Sequence, residues 1–590
     1  MKKRYYALLL LLGILCLVMN NKTTNADELI YKEVTASQGD TSTELQALLD
    51  TNKNGNYNLK VIVPAGEYIL NKEIRMFSNT TLQADQNAKF IKNHQRGPMI
   101  SNDLIGDQGG YNTTKNITII GGIWDSSRVA TLNKGTESLR FIHATGVTIE
   151  QATITNVPNG SHMITFAGVK NGTIKNCTLY GYGGTMLKEA IQLDIVHDNI
   201  VVPSMQETYL TYDDLPCNNI LITGCNIYDY SRAIGSHTSV EGVFHQNITI
   251  ENNTLHDLLD TAIKAYNYKN LKVSNNTIYN VSMGILVYTY INNEEIHYLK
   301  PLTTTTKEPL PTNYNISITG NTLYDINESK TQNTASKGDA IRTIGSTQRP
   351  LSGVTISDNI IKSTKRYGIF LEGTSSSTIA NNSITSTLDT GIYAISGSHN
   401  AKIMKNTLVK NGSFSKNTGG IAVNASKKAT IQSNSITSSG KNGISLYSKS
   451  NEAVISNNTI TSPGENGIAT YTQSNTSKIT SNTIKNYRLN GIFLYGSKSA
   501  TITSNKVYGK TTGNGKNGIH ISGDKSKSCK FVVASNYIKT SLRHGIYVEF
   551  APNTSIYKNT IINATKTPIF LDKTSTKSKL TSNKITTTKK

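Results

Sequence analysis

Asn434-Ser435-Ile436-Thr437-Ser438-Ser439-Gly440-Lys441-Asn442-Gly443-Ile444-Ser445-Leu446-Tyr447 decides the fold, because it recurs. Asn458-Thr459-Ile460 and Gly467-Ile468 stand 24 residues further on, and Asn482-Thr483-Ile484 and Gly491-Ile492 another 24. Asn505, Asn536, Asn559 and Asn583 continue the series. Each repeat holds two or three short β-branched strands broken by Gly and Asn turns. A strand advances about 3.3 Å per residue, so one such repeat closes one coil; coils stacked about 4.8 Å apart let each strand pair with its copies above and below. Ile, Val and Leu then fill the interior, while Asn suits left-handed turns and can hydrogen-bond along the stack. A β-propeller would ask for about 40–45 residues per blade. The expected class is all-β: a right-handed parallel β-helix (a solenoid) with a short N-terminal helical cap.

The composition agrees. Only 17% of the 590 residues are charged and 37% hydrophobic, and 30 Tyr outnumber 11 Phe and a single Trp. That is too polar for a conventional α/β core, yet Ile and Val recur too regularly for disorder. Lys2, Lys3 and Arg4 precede an apolar run from Tyr5 to Met19, and Thr24-Asn25-Ala26 fits a cleavage site. Residues 1–26 therefore read as a signal peptide, the run being short for a membrane span. The chain ends in Thr586-Thr587-Thr588-Lys589-Lys590, without a wall-sorting pattern. A secreted, extracellular protein is expected, monomeric and free of the membrane once the leader is removed. The formal charge of +21 stays strongly positive without that leader. A basic secreted protein meets polyanions, here an acidic polysaccharide first. Nucleic acid is not expected, since the basic residues are dispersed and no binding module stands out. Cys177 and Cys225 occupy equivalent repeat positions, where stacked thiols and a disulfide both fit. No His pair stands at zinc spacing around the cysteines, so no metal set is assigned.

Residues 27–115 read as the cap and first coils, 116–345 as coils with inserted loops, and 346–590 as regular repeats. Asp40 to Asp50 is a short helix with Thr41 or Ser42 as N-cap. Gly39-Asp40 ahead of that helix, Val61-Ile62-Val63-Pro64-Ala65-Gly66-Glu67-Tyr68, and the run from Asn116 to Asp125 (NITIIGGIWD) together resemble the opening of the pectate-lyase-like superfamily. That group includes polygalacturonase-type hydrolases and uronan lyases. The resemblance covers about the first 100 residues after the leader and implies the β-helix and a polysaccharide substrate. The Asn-Thr-Asp, Asp-Asp, Gly-His-Gly and Arg-Ile-Lys motifs of the polygalacturonases do not stand here; the nearest places read Gln192-Leu193-Asp194 and Gly235-Ser236-His237.

Three insertions interrupt the coils: His197 to Cys217, about Ile291 to Asn313, and Asn327 to Lys337. The first two leave the same edge of the same strand row, so they should wall one side of a groove; the third enters from the opposite edge. Aligned on Leu139, Ile164, Ile191, Ile234, Ile263, Ile285 and Ile341, the first outward row reads Arg140, Thr165, Gln192, Gly235, Lys264, Leu286 and Arg342. The second reads Ile142, Ala167, Asp194, His237, Tyr266, Tyr288 and Ile344. Just before the strands lie His162, Glu189, Arg232, Thr261, Met283 and Asp339.

Hydrolysis of a glycosidic bond uses two carboxyls about 5–9.5 Å apart. Glu189 and Asp194 would lie about 16 Å apart along an extended strand, and Asp339 about 19 Å from Glu189 across four coils. Proton abstraction from a uronate needs other parts: a cation on the substrate carboxylate, a base for the C5 proton and an acid for the leaving oxygen. Arg232, Arg342 or Lys264 serves the first role, Lys264 or His237 the second and Tyr266 the third, with Asp194 orienting His237. His162, Glu189, Gln192, Tyr288 and Asp339 are the expected substrate-binding residues. These parts serve a lyase or a C5-epimerase equally. A hydrolase, or a non-enzymatic adhesin that binds polysaccharide, is the alternative. Some lyases of the resembling fold use Ca²⁺, for which Asp194 and Glu189 would be the ligands, although no acidic cluster compels one. Tyr447, Tyr471 and Tyr495 form a further outward row, either a sugar platform or a stabilising ladder.

Overall fold

The computed structural model describes residues 29–131, 136–203, 210–289, 297–327, 338–346, 348–413, 418–513, 515–525, 528–575 and 577–587. The expected signal peptide, residues 204–209 of the first insertion, 290–296 at the second and 328–337 of the third lie outside them. The chain is a right-handed parallel β-helix, with every coil contributing strands to three long sheets. One helix, Ser42–Asp50, caps the N-terminal end. Thr41 is its N-cap: its hydroxyl accepts from Thr43 N–H, and Glu44 reaches back to Thr41 N–H at 2.9 Å. The helix buries Leu45 and Leu49 against the first coils, closing a stack that would otherwise expose its apolar interior.

The interior is a column of Ile, Leu and Val. Ile164, Ile191, Ile234, Ile263, Ile285 and Ile341 all sit in it with no exposed surface. The asparagines divide into two roles. Asn457 takes a left-handed turn (φ 57°), which Ser433 and Ser481 take in neighbouring coils. The next residue, Asn458, is buried: its Nδ2 donates to Ile431 O and to Asn482 Oδ1, both at 2.9 Å. This ladder runs rung by rung from Asn253 to Asn583 and satisfies each buried amide with the next. Cys225 and Cys177 continue it at the N-terminal end, Cys225 N–H donating to Asn253 Oδ1 at 2.9 Å. Both are buried free thiols, the arrangement of stacked thiols rather than the disulfide.

The first two insertions do project together. Val196 and Leu215 form an antiparallel bridge at the neck of the first. Asp214 accepts from Leu302 N–H at 2.7 Å and from the Thr305 hydroxyl at 2.6 Å, across to the second. A short strand, Thr238–Val240, also pairs with His297–Leu299.

Candidate functional site

The strands Ile164–Ala167, Glu189–Asp194, Arg232–Gly235, Thr261–Tyr266, Met283–Tyr288 and Ile341–Ile344 lie side by side in one sheet. Their pairing puts Gln192 against Gly235, Gly235 against Lys264, Lys264 against Leu286, and Leu286 against Arg342. The first outward row is therefore as the sequence implies. The second breaks at His237. The strand ends at Gly235, whose φ of +154° and whose missing side chain are both required: a Cβ there would sit 2.1 Å from Lys264 O. Ser236 then turns inward and bonds Leu193 O at 2.7 Å and the Tyr268 hydroxyl at 2.6 Å. His237 emerges beyond this kink and meets the head of the neighbouring strand instead of Asp194.

Its partner there is Glu189. His237 Nδ1 lies 2.8 Å from Glu189 Oε2, and Arg232 Nη1 lies 3.3 Å from Oε1. Arg232 Nε also donates to Asp260 at 2.5 Å, so one guanidinium bridges two fully buried carboxylates. The His162 ring stacks on His237, centroids 5.6 Å apart and planes within 9°. His162 Nδ1 is 2.6 Å from Glu189 O, the geometry of a ring N–H donating to a carbonyl. Burial works to raise Glu189, but His237, Arg232 and Lys264 outweigh it and hold the carboxyl well below its usual range. Burial lowers His237 against the pull of Glu189, and lowers His162 to about 3. The His162 ring is thus neutral, while His237 and Glu189 share one short contact in which burial and charge pull against each other. With Nδ1 of His237 facing Glu189, the lone pair sits on Nε2. The His237 side chain keeps 20% of its surface exposed, against none for Glu189. This is the arrangement of an oriented general base.

Several expected roles are corrected. Asp194 does not orient His237; it accepts from Gln192 Nε2 at 2.8 Å and Ile195 N–H at 2.9 Å, and burial pushes it up to about 8. Tyr266 is fully buried in an apolar cluster with Met283, Leu286, Tyr288 and Ile344, its ring edge-on to Tyr288, so its hydroxyl does not face solvent as an acid. Arg342 pairs with Glu372 at 3.0 Å and lies over the Phe370 ring. Asp339 is held by both arms of Arg366 at 2.7 and 2.8 Å. These two belong to the following coils. His162, Glu189, Arg232, His237 and Lys264 are the residues brought together.

Ca²⁺ finds no set here. The ion asks for six to eight oxygens, and the Asp194 and Glu189 carboxylates each have other partners. The assignment of no metal set needs amending in one respect. His162, Glu189 and His237 offer three ligand atoms within 4.8 Å of one another, a donor set for a transition ion. Arg232 and Lys264 already supply positive charge to Glu189.

The row at the strand heads was read only in part from sequence. Two residues before each interior Ile it also takes in Glu137, whose carboxyl burial would raise but Arg140 and His162 lower. Further along, the same row becomes Asn442, Asn466, Asn490 and Asn517, joined amide to amide at 2.9–3.1 Å. Carrying that same row back to the first coil and on into the C-terminal repeats would have found both. The Tyr447 and Tyr471 rings stack on each other, 5.1 Å apart and within 5°, so their faces cover one another as in a stabilising ladder.

The fold and this row define a right-handed parallel β-helix with a buried, charged strand-head cluster. The family model for the right-handed β-helix region matches residues 311–460 and 466–590. Among solved structures, the chain is similar to PfbA, a surface adhesin of Streptococcus pneumoniae: 17% identity over 74% of this chain and 93% of that one, TM-score 0.42. It is also similar to an exopolygalacturonase of Thermotoga maritima (13%, 68% and 91%, TM-score 0.39). A third is the A-module of the mannuronan C-5 epimerase AlgE4 of Azotobacter vinelandii (11%, 92% and 97%, TM-score 0.31). No curated protein matches the sequence. Among the described residues no helix is long and apolar enough to cross a membrane.

Proposed function

We propose that this is a secreted enzyme acting on an acidic, uronate-containing polysaccharide, by taking the proton α to the uronate carboxylate. The observation that carries the reading is the His237 ring, partly exposed and held through Nδ1 at 2.8 Å by the buried carboxyl of Glu189, on which Lys264 also acts. His237 Nε2 takes the C5 proton. Lys264 acts on the substrate carboxylate in addition to Glu189, since Arg232 is already bonded to both Glu189 and Asp260. Return of a proton to the other face gives epimerisation. Loss of the leaving oxygen gives elimination. Hydrolysis is disfavoured, since Glu189 and Asp260 are buried and committed to Arg232.

The test is incubation of the mature protein with pectate, alginate, hyaluronan and a bacterial exopolysaccharide. The proposal expects ultraviolet-absorbing unsaturated uronate ends or a changed uronate epimer ratio. His237→Ala should abolish the activity, and Lys264→Met should lower kcat/KM by about 10²-fold or more. New reducing ends without unsaturation would make it a hydrolase. Binding without any turnover would make it an adhesin.

A further inference from the structure

Five coils beyond Lys264, about 24 Å along the axis, the same sheet changes character. The first outward row passes through Leu286, Arg342, Phe370 and Tyr393 to Ala422 and Ser445. At Ala422 the coil carries no large outward group, and its strand-head position is Gly419. The result is a depression of about 400 Å³, with Tyr367 and Tyr393 at one end and Tyr447 at the other. That volume falls in the range of small-ligand sites, which combine aromatic walls with a few placed polar groups.

The polar groups are specific. Asn424 Nδ2 donates to the Tyr393 hydroxyl at 3.2 Å and fixes that ring's rim. Thr390, Thr418 and Ser448 bring hydroxyls, and Asp389 a carboxylate whose Oδ1 accepts from Thr390 N–H at 2.7 Å. Asp389 is the one charged residue among the described lining residues. Arg366, beside the Tyr367 wall, is held by Asp339 and stacks on the Tyr367 ring at 4.6 Å. Among the described residues the depression therefore offers an acidic acceptor, an amide, hydroxyls and aromatic surface, but no cation for a uronate carboxylate.

We infer that this depression is a second saccharide-binding site, taking a neutral sugar unit of a glycan lying along the sheet. The sugar's apolar face packs on Tyr393, and its hydroxyls donate to Asp389 and exchange hydrogen bonds with Asn424 and Thr390. The site is separate from the His237 centre and stands whether or not that centre turns substrate over.

The test is calorimetric titration of the full chain with cellotetraose, maltotetraose and chitotetraose as neutral probes and oligogalacturonate as the charged one. At least one neutral probe should bind. Its affinity should fall about tenfold or more in Tyr393→Ala and Asp389→Asn, the equivalent of about 1.4 kcal/mol. Ser445→Tyr, which fills the depression without removing any wall, should abolish it, while His237→Ala leaves it unchanged. No neutral binding, neutral binding indifferent to Ser445→Tyr, or loss of neutral binding in His237→Ala overturns the inference. Loss of turnover in His237→Ala with neutral binding intact separates this site from the proton-abstraction centre.

Discussion

Replacing Glu189 by Gln is the perturbation whose consequences the structure specifies most fully. Glu189 is buried, accepts from His237 at 2.8 Å and faces Arg232 at 3.3 Å. Gln keeps the shape and an acceptor oxygen but removes the charge. Arg232 would retain Asp260, while the Lys264 charge would lose its buried counter-ion. Breaking a buried ion pair from one side costs about 3–5 kcal/mol. In a solenoid each coil couples chiefly to its neighbours, so the loss should appear as local opening of these coils rather than melting of the rod. At about 1.4 kcal/mol per factor of ten, amide exchange in peptides spanning 160–195 and 230–266 should quicken by about two to three orders of magnitude. Peptides spanning 440–500 should be unchanged. Glu189 also acts to raise the His237 pKa, so in the variant the imidazole should titrate lower than in the wild type. Hydrogen-exchange mass spectrometry reads the first effect and the His237 ring resonances the second. Unchanged exchange in those peptides together with an unshifted His237 titration would refute the assignment of Glu189 as the centre of the cluster.

Three other outcomes follow from single residues. His143, buried between Asp107 at 2.9 Å and Asp213 at 3.2 Å, is raised from 6.5 to about 9: burial opposes the charge, and the two carboxylates outweigh it. Its folded pKa lies above the unfolded one, so this stabilisation is full below about pH 6.5 and is lost as pH rises through about 9, an effect of about 3 kcal/mol. Unfolding of the first inserted loop followed from pH 6 to 10 should show that decline, and His143→Gln should not. Asn458→Leu should strand Asn434 N–H and Ile431 O, the backbone groups its amide serves, and cost about 1–3 kcal/mol, read as a lower unfolding midpoint, with Asn583→Leu at the open end of the ladder costing less. Cys177 and Cys225 precede paired residues Thr178 and Asn226 in adjacent coils. The coil spacing of about 4.8 Å lies inside the disulfide range. Mild oxidation should therefore join them without disturbing the fold, and mass spectrometry that finds both thiols free after oxidant treatment would count against that stacking.

The strand register was legible because one Ile per coil must face inward, and a slip of one residue would turn every interior side chain out. The same rule placed Gln192, Gly235, Lys264 and Arg342 in one row. It failed two residues later, at His237, because the periodic pattern carries no sign of the kink at Gly235. Once that kink sends Ser236 inward, His237 is handed from Asp194 to Glu189. The pairing of Arg342 with Glu372 and of Asp339 with Arg366 was equally hidden, since each partner lies one coil further along and at the same height as residues with no charge to pair. Glu189 and Asp194 are both buried on a single strand and differ in their neighbours: His237, Arg232 and Lys264 surround the first, and the periodic pattern does not specify that grouping.

The most direct test of the account is the fate of the uronate C5 proton. In deuterated water, the wild-type protein acting on the polyuronate it prefers should place solvent deuterium at C5 or leave unsaturated ends, and His237→Ala should do neither. Product that forms with neither label nor unsaturation, or undiminished labelling by His237→Ala, would contradict it.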